Sequence, residues 1–149
     1  MAVTATPIFA QTPFVKSLTL AAQTACTTRA PTATASLAGA NITELTAIST
    51  NGLRIDSIDV KNCGTGISTA NAANLVGIWI WDGTTAFLYD EIAVTAVTPS
   101  ASATASFKGS LVFTQPLNLP AAYKLFATVG VTTTAAGTAL QVTAFGGAY

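Results

Sequence analysis

Apolar residues fill both parities of one short run in this chain, Leu75, Gly77, Trp79 and Trp81 on one side and Val76, Ile78 and Ile80 on the other. Successive strand residues point to opposite faces, so a strand built this way has no face meant for water. One side enters a core, and the other must be covered by a second chain or by a loop of the same chain. Asp82-Gly83 follows directly and is flanked by a second run through Phe87, Leu88 and Tyr89 to Val94. Gly accepts positive φ and Asp hydrogen-bonds its own local backbone, so this pair between apolar runs predicts a hairpin.

Elsewhere the alternation is of the one-sided kind. Residues 17–24 set Leu18 and Leu20 among small polar residues and predict the first strand. In residues 53–61, Leu53 and Ile55 share one parity and Ile58 and Val60 the other. A strand cannot satisfy both on one face without an extra residue, which places a β-bulge at Asp56-Ser57. Further strands are expected over 104–113, 123–131 and 139–145, with a weak one near 35–37 and an ambiguous segment at 42–48 that Ile and Thr tilt towards strand. Thr98-Pro99-Ser100, a two-proline bend at 115–120 and the Thr/Ala/Gly stretch 132–138 mark turns. Residues 1–16 carry Pro7 and Pro13 with Ile8, Phe9, Phe14 and Val15 between and around them. Proline disfavours helix and central strand alike, so this reads as an extended apolar arm that docks on its own sandwich or on a neighbour.

About eight short strands with no helix of three turns predict an all-β, antiparallel sandwich. Eight strands with long crossing loops favour a jelly roll; an immunoglobulin-like sandwich is the alternative, although both cysteines precede both tryptophans. The organisation expected is an arm at 1–16 and a single domain at 17–149.

Composition changes this picture mainly at the surface. Charged residues make up 8% of the 149, against about 25% in ordinary soluble domains. Six basic and six acidic residues give a formal net charge of +0, so little repulsion keeps copies apart. The same balance argues against nucleic acid and anionic membranes, which call for clustered Lys and Arg. A membrane span needs about 20 apolar residues, far more than the run 75–81 offers. The N-terminus has no positive residue before its apolar part, and Pro7 interrupts it, so export by a signal peptide is not expected.

Candidate chemistry is thin. With no histidine, Ser-His and Cys-His pairs and imidazole acid-base catalysis are excluded. Cys26 and Cys63 lack the spacing of a zinc site and read as two buried thiols, with a bridge between them as the alternative. Asp56 with Asp59 could serve as a glycosidase pair, but beside Arg54 and Lys61 they read as ion pairs. Asp90 and Glu91, consecutive on a strand, point to opposite faces. Trp79 and Trp81 near Phe87 and Tyr89 admit three readings: a sugar-stacking platform, core, or an interface. No enzyme activity, cofactor or metal is expected.

The segments Asn51-Gly-Leu-Arg-Ile-Asp-Ser-Ile-Asp-Val-Lys61, Gly77-Ile-Trp-Ile-Trp-Asp-Gly-Thr-Thr85 and Asp90-Glu-Ile-Ala-Val-Thr-Ala-Val-Thr-Pro-Ser100, with the closing Phe145-Gly-Gly-Ala-Tyr149, resemble small all-β virion structural proteins of tailed bacteriophages. The likeness covers residues 50–149. It implies a jelly-roll decoration or cement protein on the outer capsid surface, made in the host cytoplasm, that binds the major capsid protein and staples neighbouring subunits. Partners expected on this basis are the major capsid protein and further copies of the chain, as a dimer or trimer. Ile8, Phe9, Phe14, Val15, Trp79, Trp81 and Tyr89 are the candidate interface residues. The alternative is a carbohydrate-binding or host-recognition module of a tail or fibre, with Trp79, Trp81 and Tyr89 as its stacking surface.

Overall fold

A computed structural model describes residues 12–33, 42–46, 49–135 and 137–149. Nine strands and no helix are found among them: β1 (Thr12–Leu20), β2 (Thr32–Ala33), β3 (Ile42–Glu44), β4 (Leu53–Asn62), β5 (Asn74–Trp81), β6 (Thr85–Val94), β7 (Lys108–Leu119), β8 (Lys124–Val129) and β9 (Leu140–Ala148). They pair antiparallel into a four-stranded sheet, β1-β9-β4-β7, and a five-stranded sheet, β2-β6-β5-β8-β3. Setting aside the two-residue β2 and renumbering the other eight strands, the orders become 1-8-3-6 and 5-4-7-2. That is the jelly-roll arrangement, in which nearly every connection crosses from one sheet to the other.

The expected hairpin is β5-β6, the only pair of consecutive strands among the described residues that are neighbours in a sheet. Asp82 Oδ1 accepts from the backbone N–H of Thr84 and Thr85 and from the Thr84 hydroxyl, at 2.8–2.9 Å, and Gly83 takes φ 107°. The expected bulge is also present. Between Ile55 and Ser57 the β4 register shifts against both neighbours, so Asp56 has no partner in β9, where Gly146 and Phe145 follow one another. The backbones close in here: a Cβ on Gly146 would overlap the Arg54 carbonyl oxygen. The bulge turns Ile55 and Ile58 to the same side, and both are fully buried.

One core fills the space between the sheets. Leu20, Ile55, Ile58, Val60, Leu140 and Val142 of the four-stranded sheet meet Val76, Ile78, Leu125 and Val129 of the other. Removing such side chains from water is the dominant favourable term in folding.

Several boundaries differ from expectation. β1 begins at Thr12, not Ser17, so residues 12–16 of the expected arm are sheet, paired with β9; residues 1–11, with Ile8 and Phe9, lie outside the described residues. Pro13 is tolerated because β1 is an edge strand and a missing donor there costs no ladder bond. β7 runs on through Pro116 to Leu119, beyond the expected end at Phe113. The bend survives as irregular register: Val112 pairs with Ser57 and Leu117 with Ile55, so residues 113–116 stand opposite Asp56 alone. The weak strand expected near 35–37 falls outside the described residues, and β2 lies just before it.

Candidate functional site

The two faces of β5 have different fates. Val76, Ile78 and Ile80 belong to the core between the sheets. On the outer face, Trp79 is 1% exposed and packs with Ala86, Leu88, Phe126, Trp81, Ile42 and Cys26. Its indole N–H donates to Thr128 Oγ1 at 2.9 Å. Gly77 makes room for this ring, since a Cβ there would lie 2.9 Å from Trp79 Nε1 and 2.7 Å from Thr128 Oγ1. Of the two ways to cover the second face, the chain uses its own segment around residues 23–29.

That segment is tied down by backbone. The Cys26 N–H donates to the Val129 carbonyl at 2.7 Å, and the Thr133 N–H to the Gln23 carbonyl at 2.9 Å. Thr133, itself 1% exposed, uses its hydroxyl twice, accepting from Gln23 N–H at 3.0 Å and donating to the Leu20 carbonyl at 2.9 Å. At the far end, Arg29 Nε donates to both carboxylate oxygens of Glu91 at 3.0 Å. The Glu91 hydrogen bond and charge raise the Arg29 pKa above its ordinary value.

Between this cover and the sheet lies an open cleft of about 490 Å³, lined by Cys26, Arg29, Gly77, Trp79, Glu91 and Thr128 among others. Its main polar groups are already committed to one another or to backbone. Thr128 holds Trp79, Arg29 holds Glu91, and Asn74 spans Leu75 and Val131 through three hydrogen bonds of 2.8–2.9 Å. No base stands beside a nucleophile among these groups, and no cluster of three His, Cys, Asp or Glu occurs among the described residues.

The carboxylates singled out from the sequence are not brought together. Arg54 Nε donates to Asp56 at 2.8 Å, as expected. Asp59 pairs across the sheet with Lys108 at 2.9 Å rather than with Lys61. Burial pushes the Asp59 pKa up, but hydrogen bonds from Ser110 and Lys108 and the Lys108 charge leave it below the ordinary value. They line different shallow depressions, Asp56 beside Pro13 and Asp59 beside Gln141. A glycosidase acid would need a raised pKa. Asp90 and Glu91 point apart: Asp90 stands opposite Ile78 and caps the Glu91 N–H at 2.7 Å, while Glu91 reaches Arg29. Cys26 and Cys63 are both free and half-buried, and burial raises the Cys63 pKa.

The remaining candidate residues are dispersed. Phe14 packs half-buried against the core, and Val15 beside it is exposed. Trp81 meets Phe126 edge-on with ring centres 6.3 Å apart and lies under Lys124 Nζ at 5.3 Å, while its own indole N–H has no partner among the described residues. Tyr89, 44% exposed, is the extra residue where the β5-β6 register shifts, and its ring meets Phe113 at 5.8 Å. The indoles and Tyr89 therefore form no common exposed platform. Phe87 is exposed as well, and three further exposed apolar residues were not singled out from the sequence: Ile67, Val131, and Val112 at 70%. Val112 had a readable signal, an apolar residue at the parity of Lys108 and Ser110.

Comparison with protein-family models, with curated proteins and with solved structures finds no match to this chain.

Proposed function

We propose that this chain is a non-enzymatic structural protein that decorates a bacteriophage capsid, binding the lattice of the major capsid protein and stabilising neighbouring subunits. The observation that carries the reading is the character of the surface. Val15, Ile67, Phe87, Tyr89, Val112 and Val131 are exposed around the sandwich. Four ion pairs take up eight of the twelve charged residues, leaving Lys16, Lys61, Asp82 and Asp90 outside such pairs among the described residues. A shell with so few free charges puts little repulsion between neighbouring proteins and suits burial in a lattice better than free diffusion. The jelly roll and the resemblance of residues 50–149 to virion proteins point the same way.

The glycan-binding alternative loses its platform, because Trp79 is buried and hydrogen-bonded; it would have to rest on Phe87 and Tyr89. Quantitative mass spectrometry of purified virions against the major capsid protein tests the proposal. Copy numbers on the order of hundreds per particle, as a repeating lattice requires, are expected. A few copies would move the protein to the tail and favour host recognition, and none would end the virion reading.

A further inference from the structure

We infer that the outer edge of β7 is the surface through which two copies of this chain pair, β7 against β7 about a two-fold axis, extending the four-stranded sheet into one of eight strands. The four-stranded sheet ends in β1 on one side and β7 on the other, and no other described strand pairs with the outer edge of either. The two edges are not equally protected. Natural edge strands are guarded by proline, lysine, inward-pointing charges and bulges. β1 has Pro13, and Lys16 at the parity of the inward Phe14 and Leu18. In β7 the guards stand at the two ends: Lys108, whose charge is already paired with Asp59, opens the strand, and Pro116 and the irregular stretch 113–116 occupy its second half. Residues 109–112 are Gly, Ser, Leu and Val, with neither charge nor proline.

The pairing pattern fixes which groups face outward. The Asn62 N–H donates to the Phe107 carbonyl, so residue 107, and by alternation 109 and 111, direct their backbone groups towards β4. Lys108, Ser110 and Val112 then direct their N–H and C=O groups to the open edge. An antiparallel partner centred on Ser110 uses all three: Ser110 meets Ser110 of the second copy, and Lys108 and Val112 face each other twice. Centring on Lys108 would set two ammonium groups opposite one another, and centring on Val112 would run the second copy into Pro116. Among registers centred on an outward-facing residue, charge and Pro116 thus leave Ser110. Each Lys108 stem lies over a Val112, and no like charges meet.

Apolar surface flanks the same edge. β6 and β7 are in contact at this side of the sandwich, where Tyr89 packs on Phe113 and stays 44% exposed. β2 covers only Thr85 and Ala86 of β6, so among the described strands the rest of that edge is open too. A chain with net charge +0 adds no overall repulsion between copies. The inference deepens the assembly reading by naming the surface, but it is tested on the free protein, so its failure leaves attachment to a capsid untouched.

Sedimentation equilibrium on the full chain is the test, with Val112→Lys and Val112→Glu compared. The expected wild-type species is a concentration-dependent dimer. Val112→Lys sets a lysine opposite Lys108 twice and weakens the dimer about tenfold, whereas Val112→Glu at the same exposed site strengthens it. Opposite signs from two polar substitutions cannot come from a fold defect. A monomer at every soluble concentration, an assembly of another size, or a dimer that both substitutions move alike overturns the inference.

Discussion

The outer faces of the two sheets solve the same problem in opposite ways. On the four-stranded sheet, β4 alternates after its bulge, with Ile58 and Val60 inward and Ser57, Asp59 and Lys61 outward; Asp59 and Lys61 meet Ser110 and Lys108 of β7 and Thr143 and Gln141 of β9, and only Ser57 stands between the apolar Val112 and Phe145. That face can stay wet. On the five-stranded sheet, β5 does not alternate, and Trp79 is as buried on the outside as Ile78 is on the inside. A strand without a polar parity obliges the chain to supply a second cover, and residues 23–29 supply it. The cover is held by a few long-range hydrogen bonds, whereas the core is held by many apolar contacts, so the two should fail differently.

Emptying the covered face should cost the most stability. Trp79→Ala removes the centre of the outer cluster and leaves Thr128 without its donor. A loss of about 4 kcal/mol is expected in urea unfolding, as for other buried tryptophans. Phe87→Ala, one turn of the hairpin away but exposed, should change stability by no more than about 0.5 kcal/mol. Equal effects from the two would mean that Trp79 is not part of a second core.

The cover itself is probed at Thr133. Ala22 leaves β1 with φ 54°, a left-handed conformation that a non-glycine residue adopts at a cost, and the Thr133 hydroxyl bonds on both sides of it, to Leu20 and Gln23. Thr133→Val keeps the shape and strands both backbone groups, for an expected loss of about 2 kcal/mol. Amide exchange should rise locally over residues 21–28 while the β4 and β9 amides keep their protection. If protection falls uniformly, the cover is no separate unit.

What was legible in the chain is what local chemistry decides. The β5-β6 hairpin follows from Asp82-Gly83 and two apolar runs, and the bulge from the parity change between Ile55 and Ile58. The need for a cover over Trp79 was also written in β5. Its identity was not, because residues 23–29 are small and polar and attach through backbone groups of Val129 and Thr133, more than a hundred residues away. Prolines misled in a consistent way. Pro13 read as part of an arm outside the sandwich and Pro116 as part of a bend after a strand, yet both sit in edge strands, and edge position is a property of the sheet order, not of the neighbouring residues. The dispersal of Trp79, Trp81 and Tyr89 was equally hidden, since the extra residue at Tyr89 changes the register of β6 midway.

The wet face should contribute far less, and only in acid. Asp59, half-buried beside an exposed Lys108, has its pKa pushed up by burial but held below the ordinary carboxylate value by hydrogen bonds from Ser110 and Lys108 and by the Lys108 charge. A carboxylate whose folded pKa is depressed adds stability that is fully present above the unfolded value, about 3.9, and is lost as pH falls through the lower folded value. Acid unfolding should therefore show a contribution from Asp59 only below about pH 5. Asp59→Asn should flatten that limb and leave the neutral range little changed, because an exposed pair contributes at most about 1 kcal/mol. Among the described residues the side chains packed on the Trp79 cluster carry no carboxylate, and Glu91 in the cleft is paired with Arg29, so Trp79→Ala should lower stability by the same amount at every pH in that window. A pH slope altered by Trp79→Ala as much as by Asp59→Asn would show that the two faces are coupled through the core.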